Sequence, residues 1–250
     1  MIISIGSQKG GVGKTTTSLA FAAGLAKSGK KVLLIDVDYQ ANSSKVLLPD
    51  YQKLETQDTV YATILDRKPL QVHKTTIENL EIVPSHILLS NADLTLITAL
   101  DNRAQRLNNQ LEKVRGKWDY IIIDCPPSIG WLTLNAFTAS DKIIIVVSPG
   151  YFELDSIIQI DKTIEKVKEE FNPKLELLGM LFNLSDNTNA TTASLQLLRQ
   201  TYPNRVFRTI IPRNTDIKES QLSKQDIFSF NEKANAALAY KKLIKEIFEV

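Results

Sequence analysis

Cysteine is almost absent: Cys125 is the only one in 250 residues. A single thiol forms no intrachain disulfide and supplies no cysteine cluster for zinc or iron–sulfur chemistry, so Cys125 reads as a small buried residue. Of the two histidines, His73 reads as a surface or packing residue, and neither it nor His86 is assigned any chemistry. No apolar run reaches the ~20 residues that a membrane-spanning helix needs. The N-terminus has no basic region followed by a signal-type apolar core, and Lys9 would interrupt one, so a cytoplasmic chain is expected. Internal repeats, low-complexity runs and interdomain linkers are also missing. No helix-turn-helix unit is expected before the first strand, which begins at residue 2. With 43% hydrophobic and 23% charged residues, the composition is that of one α/β domain over residues 1–250, large enough to bury a sizeable core.

Net charge is only +2, but it is unevenly distributed. Between Arg199 and Lys245 ten basic residues face four acidic ones, which makes that section +6 and leaves −4 for the remainder. The asymmetry points to a polyanionic partner for the C-terminal third; the alternative is a solvated helical surface.

The stretch Ser7-Gln8-Lys9-Gly10-Gly11-Val12-Gly13-Lys14-Thr15-Thr16-Thr17 organises the rest. It follows a β-type run (Ile2, Ile3, Ile5) and precedes an Ala/Leu-rich helical pattern from Leu19 to Ala26. Glycines there let backbone N–H groups converge on phosphate oxygens, and the following helix directs its positive end at them. Lys14 would reach the β/γ-phosphates and the Thr15 hydroxyl would meet Mg²⁺. Where the usual phosphate loop has its first glycine the chain has Gln8, and it carries an additional lysine, Lys9. A Gly-rich turn with two surface lysines is the bland alternative.

Two strands end in carboxylates. Lys31 to Asp36 is a continuous apolar run, as buried parallel strands are, and leads into Asp36-Val37-Asp38-Tyr39-Gln40-Ala41-Asn42. Carboxylates at such a strand end belong where α/β sheets bind ligands. If the chain stays extended, Asp36 and Asp38 point to the same side, one holding Mg²⁺ through water and the other positioning the attacking water. Turn-forming aspartates are the alternative. Trp118-Asp119-Tyr120-Ile121-Ile122-Ile123-Asp124 repeats the pattern, with Asp124 a candidate for Mg²⁺ through water. Further strands are expected at Leu80 to Pro84, Lys142 to Val147, Leu175 to Phe182 and from Val206. Helices are expected over Leu94 to Arg115 (apolar Leu96, Ile97, Leu100, Leu107, Leu111 and Val114), Asp155 to Phe171 and Asn231 to Val250. Repeated strand–helix alternation implies a mostly parallel twisted sheet with helices on both faces.

The loop resembles the deviant phosphate loop of the ParA/MinD superfamily, whose additional lysine reaches across a dimer to the partner's nucleotide. The resemblance extends over nearly the whole chain, through Asp-x-Asp-x-Gln-x-Asn at Asp36 and Asp-x-Pro-Pro at Asp124. It implies a phosphate-loop ATPase fold, with Lys9, Lys14 and Asp38 as catalytic residues and Asp38 orienting the water. ATP would be bound by Lys9, Gly10, Gly11, Val12, Gly13, Lys14, Thr15 and Thr16. Asn183, after one late strand, and Pro212 and Arg213, after the next, would flank the adenine; no Asn-Lys-x-Asp guanine-reading motif is present. Thr15, Asp36 and Asp124 would serve the metal, the last two through water. Tyr151 to Ser156 resembles another family segment, with Gly150 where the family often has a glutamate touching the partner's nucleotide. The implied activity is ATP- and Mg²⁺-dependent cargo positioning. An ATP-bound homodimer would bind non-specific nucleoid DNA through Arg205, Arg208, Arg213, Lys218, Lys224, Lys241 and Lys242. A ParB-like or other adaptor would stimulate hydrolysis. The cargo could be a plasmid, a chromosome region or a protein body such as a carboxysome. The alternative is a MinD-like membrane-cycling ATPase, but residues 231–250, with four lysines and three glutamates, attract an anionic surface weakly. A nitrogenase-reductase-like role is excluded by the lone cysteine.

Overall fold

Seven strands form one sheet: β1 (Ile2–Gly6), β2 (Val32–Asp36), β3 (His73–Lys74), β4 (Leu80–Val83), β5 (Tyr120–Asp124), β6 (Lys142–Val147) and β7 (Glu176–Phe182). Their order is β3-β4-β2-β5-β1-β6-β7, all parallel except the short antiparallel pair β3–β4. The computed structural model describes residues 1–150 and 153–248, and side chains of residues 153–156 are not included. Tyr151 and Phe152 therefore lie outside the described residues, and so do the side chains of the family-like segment that follows them.

Eleven helices are described: α1 (Lys14–Lys27), α2 (Asn42–Leu47), α3 (Val60–Ile64), α4 (Ala92–Ile97), α5 (Arg106–Leu111), α6 (Trp131–Thr138), α7 (Glu153–Glu170), α8 (Asn189–Thr201), α9 (Asp216–Leu222), α10 (Ile227–Asn231) and α11 (Asn235–Phe248). Alternate strand residues serve opposite faces, as the two-residue strand period requires. Ile3, Ile5, Leu34, Ile122 and Ile144 pack with Phe21, Leu25, Tyr240 and Ile244 of α1 and α11. Ile2, Leu33, Ile35, Ile121 and Ile123 pack with Leu96, Leu107, Phe137 and Ile160 on the other face. Both faces are covered, which explains why the central strands read as unbroken apolar runs.

β1 lies between β5 and β6, so the strand order reverses around it and a crevice opens at its C-terminal end. The phosphate-loop segment begins there. The β2–β5 register sets Asp36 beside Asp124 on neighbouring strands at this edge.

Two expectations change. The Leu94–Arg115 helix is broken: α4 stops at Ile97 and α5 starts at Arg106, leaving Leu100 fully exposed. Arginines cause the break. Arg103 donates to the Leu96 and Ile97 carbonyls at the end of α4, while Arg106 pairs with Asp101 and caps the Ile64 and Leu65 carbonyls of α3. The stretch from Val206 is not a regular strand either. It touches β7 through an isolated bridge at Val206 and the segment after β7 through another between Pro212 and Ser185, with backbone bonds from Phe207 to Met180, Ile211 to Phe182 and Arg213 to Ser185.

Candidate nucleotide site

Gly11 (φ +77°) and Gly13 (φ +93°) put the loop backbone in the left-handed region, where a side chain would be strained. A Cβ on Gly13 would also collide with the Asn183 amide. The loop thereby turns directly into the 14-residue α1, whose N-terminal N–H groups face the crevice. Lys14 Nζ donates to the Lys9 carbonyl across the loop, 3.0 Å away. Burial lowers the Lys14 pKa, and Asp124 and Asp38 oppose that shift.

A cleft of about 760 Å³ is lined by Gly10, Gly11, Gly13, Lys14, Thr15 and Thr16 from the loop and by Asp38 opposite them. Asp38 is 5% exposed and accepts from the Gln40 N–H at 2.9 Å. Burial raises its pKa, against the pull of the Gln40 N–H, Lys14 and Lys45. A carboxylate of raised basicity facing the loop is suited to accept a proton or hold a water.

Asp124 is fully buried. Its oxygens accept from Ser18 Oγ (3.0 Å) and Ser43 Oγ (2.6 Å), and the Thr15 hydroxyl also bonds to it. Burial pushes its pKa up to about 6, despite those three hydroxyls. Asp36 departs from the expected arrangement. Like Asp124 it lies behind the cleft wall, but unlike Asp124 it has no bond to a loop hydroxyl. One oxygen accepts from the Ser44 N–H and hydroxyl (3.0 and 2.7 Å), the other from the Asp38 N–H at 3.2 Å. The chain therefore turns just after β2 instead of staying extended, and Asp36 and Asp38 part company. Asp36 braces this turn and α2; burial and the Asp124 charge beside it hold its pKa well above the usual range.

The donors suit Mg²⁺: a threonine hydroxyl and carboxylates, all hard oxygens. Among the described residues no cluster of three or more His, Cys, Asp or Glu could cage an ion alone. Mg²⁺ needs none, since it keeps waters and takes oxygens from phosphates. Two adjacent buried carboxylates are also the setting in which a nearby dication offsets repulsion.

A second cavity of about 920 Å³ shares Gly11, Gly13, Thr16, Lys218 and Gln221 with the cleft and extends past Asn183 to Pro212 and Arg213. Asn183 Nδ2 donates to the Val12 carbonyl at 2.7 Å, while Oδ1 is buried without a partner. A lone acceptor matches the 6-amino group of adenine and opposes the O6 of guanine.

The seven basic candidates do not form one surface. Arg213 and Lys218 line the base cavity. Arg205 lies 3.8 Å from Asp161 on α7, whereas Lys241 pairs with Glu232 at 3.6 Å beside α11, across the sheet. Arg208, Lys224 and Lys242 are exposed. Three contributors had no signature in the sequence: Ser18 and Ser43, which hold Asp124, and Gln221, whose amide donates to Thr16 Oγ1 at 3.0 Å.

A family profile described as an AAA domain matches residues 1–177. The sporulation initiation inhibitor protein Soj of Bacillus subtilis is 37% identical over 249 residues, covering 98% of this chain and 97% of that one. The chromosome partitioning protein ParA of Myxococcus xanthus is 36% identical, covering 99% and 88%. Among solved structures, a Mycobacterium smegmatis protein described as cobyrinic acid a,c-diamide synthase, with bound ATP analog and magnesium, has a TM-score of 0.83. It is 31% identical, and the match covers 98% of this chain and 94% of that one.

Proposed function

Because this chain belongs to the ParA/Soj family of phosphate-loop ATPases, we propose that it hydrolyses ATP in order to position a cargo over DNA. The observation that carries the proposal is the convergence of Lys14, Thr15 and Asp38 on one cleft, with Asp124 buried behind Thr15. The loop N–H groups and Lys14 bind the phosphates, and the base enters the cavity between Asn183 and Pro212. Thr15 and, through water, Asp124 hold Mg²⁺, which neutralises charge developing on the phosphates. Asp38 orients the attacking water.

Lys9 sits half-buried within the loop, and in the proposed cycle two ATP-bound copies close face to face, each offering Lys9 to the other's phosphates. A cation supplied in trans stabilises transition-state charge as an arginine finger does. The dimer binds DNA through phosphate contacts without base reading. All seven basic candidates are exposed; Arg208, Lys224, Lys241 and Lys242, which neither line the second cavity nor lie against α7, are the ones offered for that role. A ParB-like or other adaptor stimulates hydrolysis and releases the dimer.

A membrane-cycling role would need an amphipathic helix free to enter lipid. The apolar side of α11 is instead buried in the core through Tyr240, Leu243, Ile244 and Phe248, and no described helix is long and apolar enough to cross a membrane. The test is binding to non-specific duplex DNA with ATP, with ADP and without nucleotide across a salt series, beside anionic liposomes. ATP-dependent DNA binding that falls steeply with salt is expected; ATP-dependent liposome binding with no DNA affinity would overturn the proposal.

A further inference from the structure

Tyr240 is fully buried on α11, with its hydroxyl 3.0 Å from Thr17 Oγ1. Thr17 has one hydroxyl hydrogen, and it goes to the Gly13 carbonyl at 2.9 Å. The phenol is therefore the donor to Thr17. Upstream, Asn183 Nδ2 holds the Val12 carbonyl. Two consecutive loop carbonyls are thus gripped: Val12 from the end of β7, and Gly13 within α1, where it accepts from both the Thr17 N–H (2.9 Å) and the Thr17 hydroxyl, the latter held by α11. A planar peptide fixes its N–H when its carbonyl is fixed. The Val12 and Gly13 carbonyls share their peptide planes with the N–H groups of Gly13 and Lys14, which a phosphate loop aims at its ligand.

The far end of α11 is also tied to the nucleotide site. Glu246 accepts from the Arg208 and Thr209 N–H groups (2.7 and 2.9 Å), in the segment that leads to Pro212 at the base cavity. Between these two ties, α11 approaches α1 so closely that a Cβ at Gly24 would collide with Ile244. A tyrosine needed only to fill the core would be served equally well by phenylalanine, which needs no buried hydrogen-bond partner.

We propose that Tyr240 is a positioning residue of the phosphate loop, acting through Thr17 to fix the Gly13 carbonyl and linking α11 to phosphate occupancy. This inference rests on the nucleotide-site reading and does not depend on DNA binding. The experiment compares the wild-type chain with Tyr240→Phe, Thr17→Val, Thr17→Ser and the Tyr240→Phe/Thr17→Val double variant. Dissociation constants are measured for Mg-ADP and for adenosine, and thermal midpoints are recorded beside them. Tyr240→Phe should weaken Mg-ADP roughly 2- to 10-fold, the scale of one net hydrogen bond, and leave adenosine unchanged. The double variant should be no worse than Thr17→Val alone, because the two groups act in series, and Thr17→Ser should retain wild-type affinity. In hydrogen exchange, Mg-ADP should protect amides around Tyr240 in the wild-type chain but less in Tyr240→Phe. Equal losses for adenosine and Mg-ADP, or additive losses in the double variant, would overturn the proposal. So would unchanged Mg-ADP affinity in Tyr240→Phe. A wild-type chain that failed to bind Mg-ADP at all would remove the nucleotide site itself, and the role of Tyr240 with it.

Discussion

Replacing Asp124 with asparagine should stabilise the nucleotide-free protein near neutral pH. Asp124 has no solvent exposure, and burial raises its pKa from 3.8 to about 6. A carboxyl whose folded-state pKa lies above its unfolded value binds protons more readily when folded. Its contribution to stability is present below pH ~3.8 and is lost as pH rises through about 6. Carrying the ionised form at pH 7 costs about 3 kcal/mol, the pKa difference taken at ~1.4 kcal/mol per unit. Asp36 adds to this, since its pKa is raised by burial and then by the neighbouring Asp124 charge. Asparagine removes that charge and keeps the shape. Ser18 and Ser43 meet different oxygens of Asp124, so one hydroxyl can still donate to the asparagine oxygen while the other reverses to accept from its amide. Allowing for imperfect hydrogen bonds, the variant should be ~1–3 kcal/mol more stable at pH 7.5, and the two proteins should converge near pH 4. Urea unfolding followed by fluorescence of Trp118 and Trp131 between pH 4 and 8 would measure the difference, with the m-value as a control on compactness. With Mg-ADP present the order should reverse, because the wild-type chain binds the metal more tightly. A variant less stable than wild type at pH 7.5 without nucleotide, or a gap independent of pH, would refute the reasoning.

Asp38→Ala should bind ATP with near wild-type affinity but hydrolyse it ~10²- to 10⁴-fold more slowly, measured as single-turnover phosphate release. Asn183→Ala should lose ~1–3 kcal/mol of stability through the orphaned Val12 carbonyl, and its preference for ATP over GTP should narrow in competition binding. Lys218→Ala should weaken nucleotide binding yet leave the salt slope of DNA binding unchanged, whereas Lys242→Ala should reduce that slope by about one, the share of a single neutralised phosphate.

The parts of this protein legible in its sequence are those whose cause is local. β1, β2, β5 and β6 are short apolar runs covered on both faces, and their positions differ from the sequence reading by a residue or two. The phosphate loop is legible because its glycines, lysine and threonine act within one turn of chain. The Leu94–Arg115 region misleads for the opposite reason. Leu96, Leu107 and Leu111 keep helical spacing and are buried. The segment nevertheless breaks between them, because Arg106 is drawn to Asp101 and to carbonyls more than forty residues away on α3. Periodicity carries no information about such partners. Asp36 and Asp38 mislead through an assumption of extended backbone, which the Asp36–Asp38 N–H bond replaces with a turn.

Charge is the least legible signal, because counting assigns a sign to a region without assigning a direction to any side chain. The seven basic candidates of the C-terminal third separate in space: Arg213 and Lys218 at the second cavity, Arg205 against α7, Lys224 just after α9, Arg208 beside Glu246 of α11, and Lys241 and Lys242 on α11. The separation has a physical logic. Segment 205–213 follows β7 and delivers Pro212 and Arg213 to the second cavity, while α11 spends its apolar stripe on α1 and turns its lysines outward. The same helix is bonded to the loop at Tyr240 and to the base-side segment at Glu246. In the proposed cycle, a basic surface that must respond to nucleotide has a covalent path to it only through long stretches of chain. The short path runs through two hydrogen bonds from Tyr240 to Gly13, and neither has any signature in the spacing of residues.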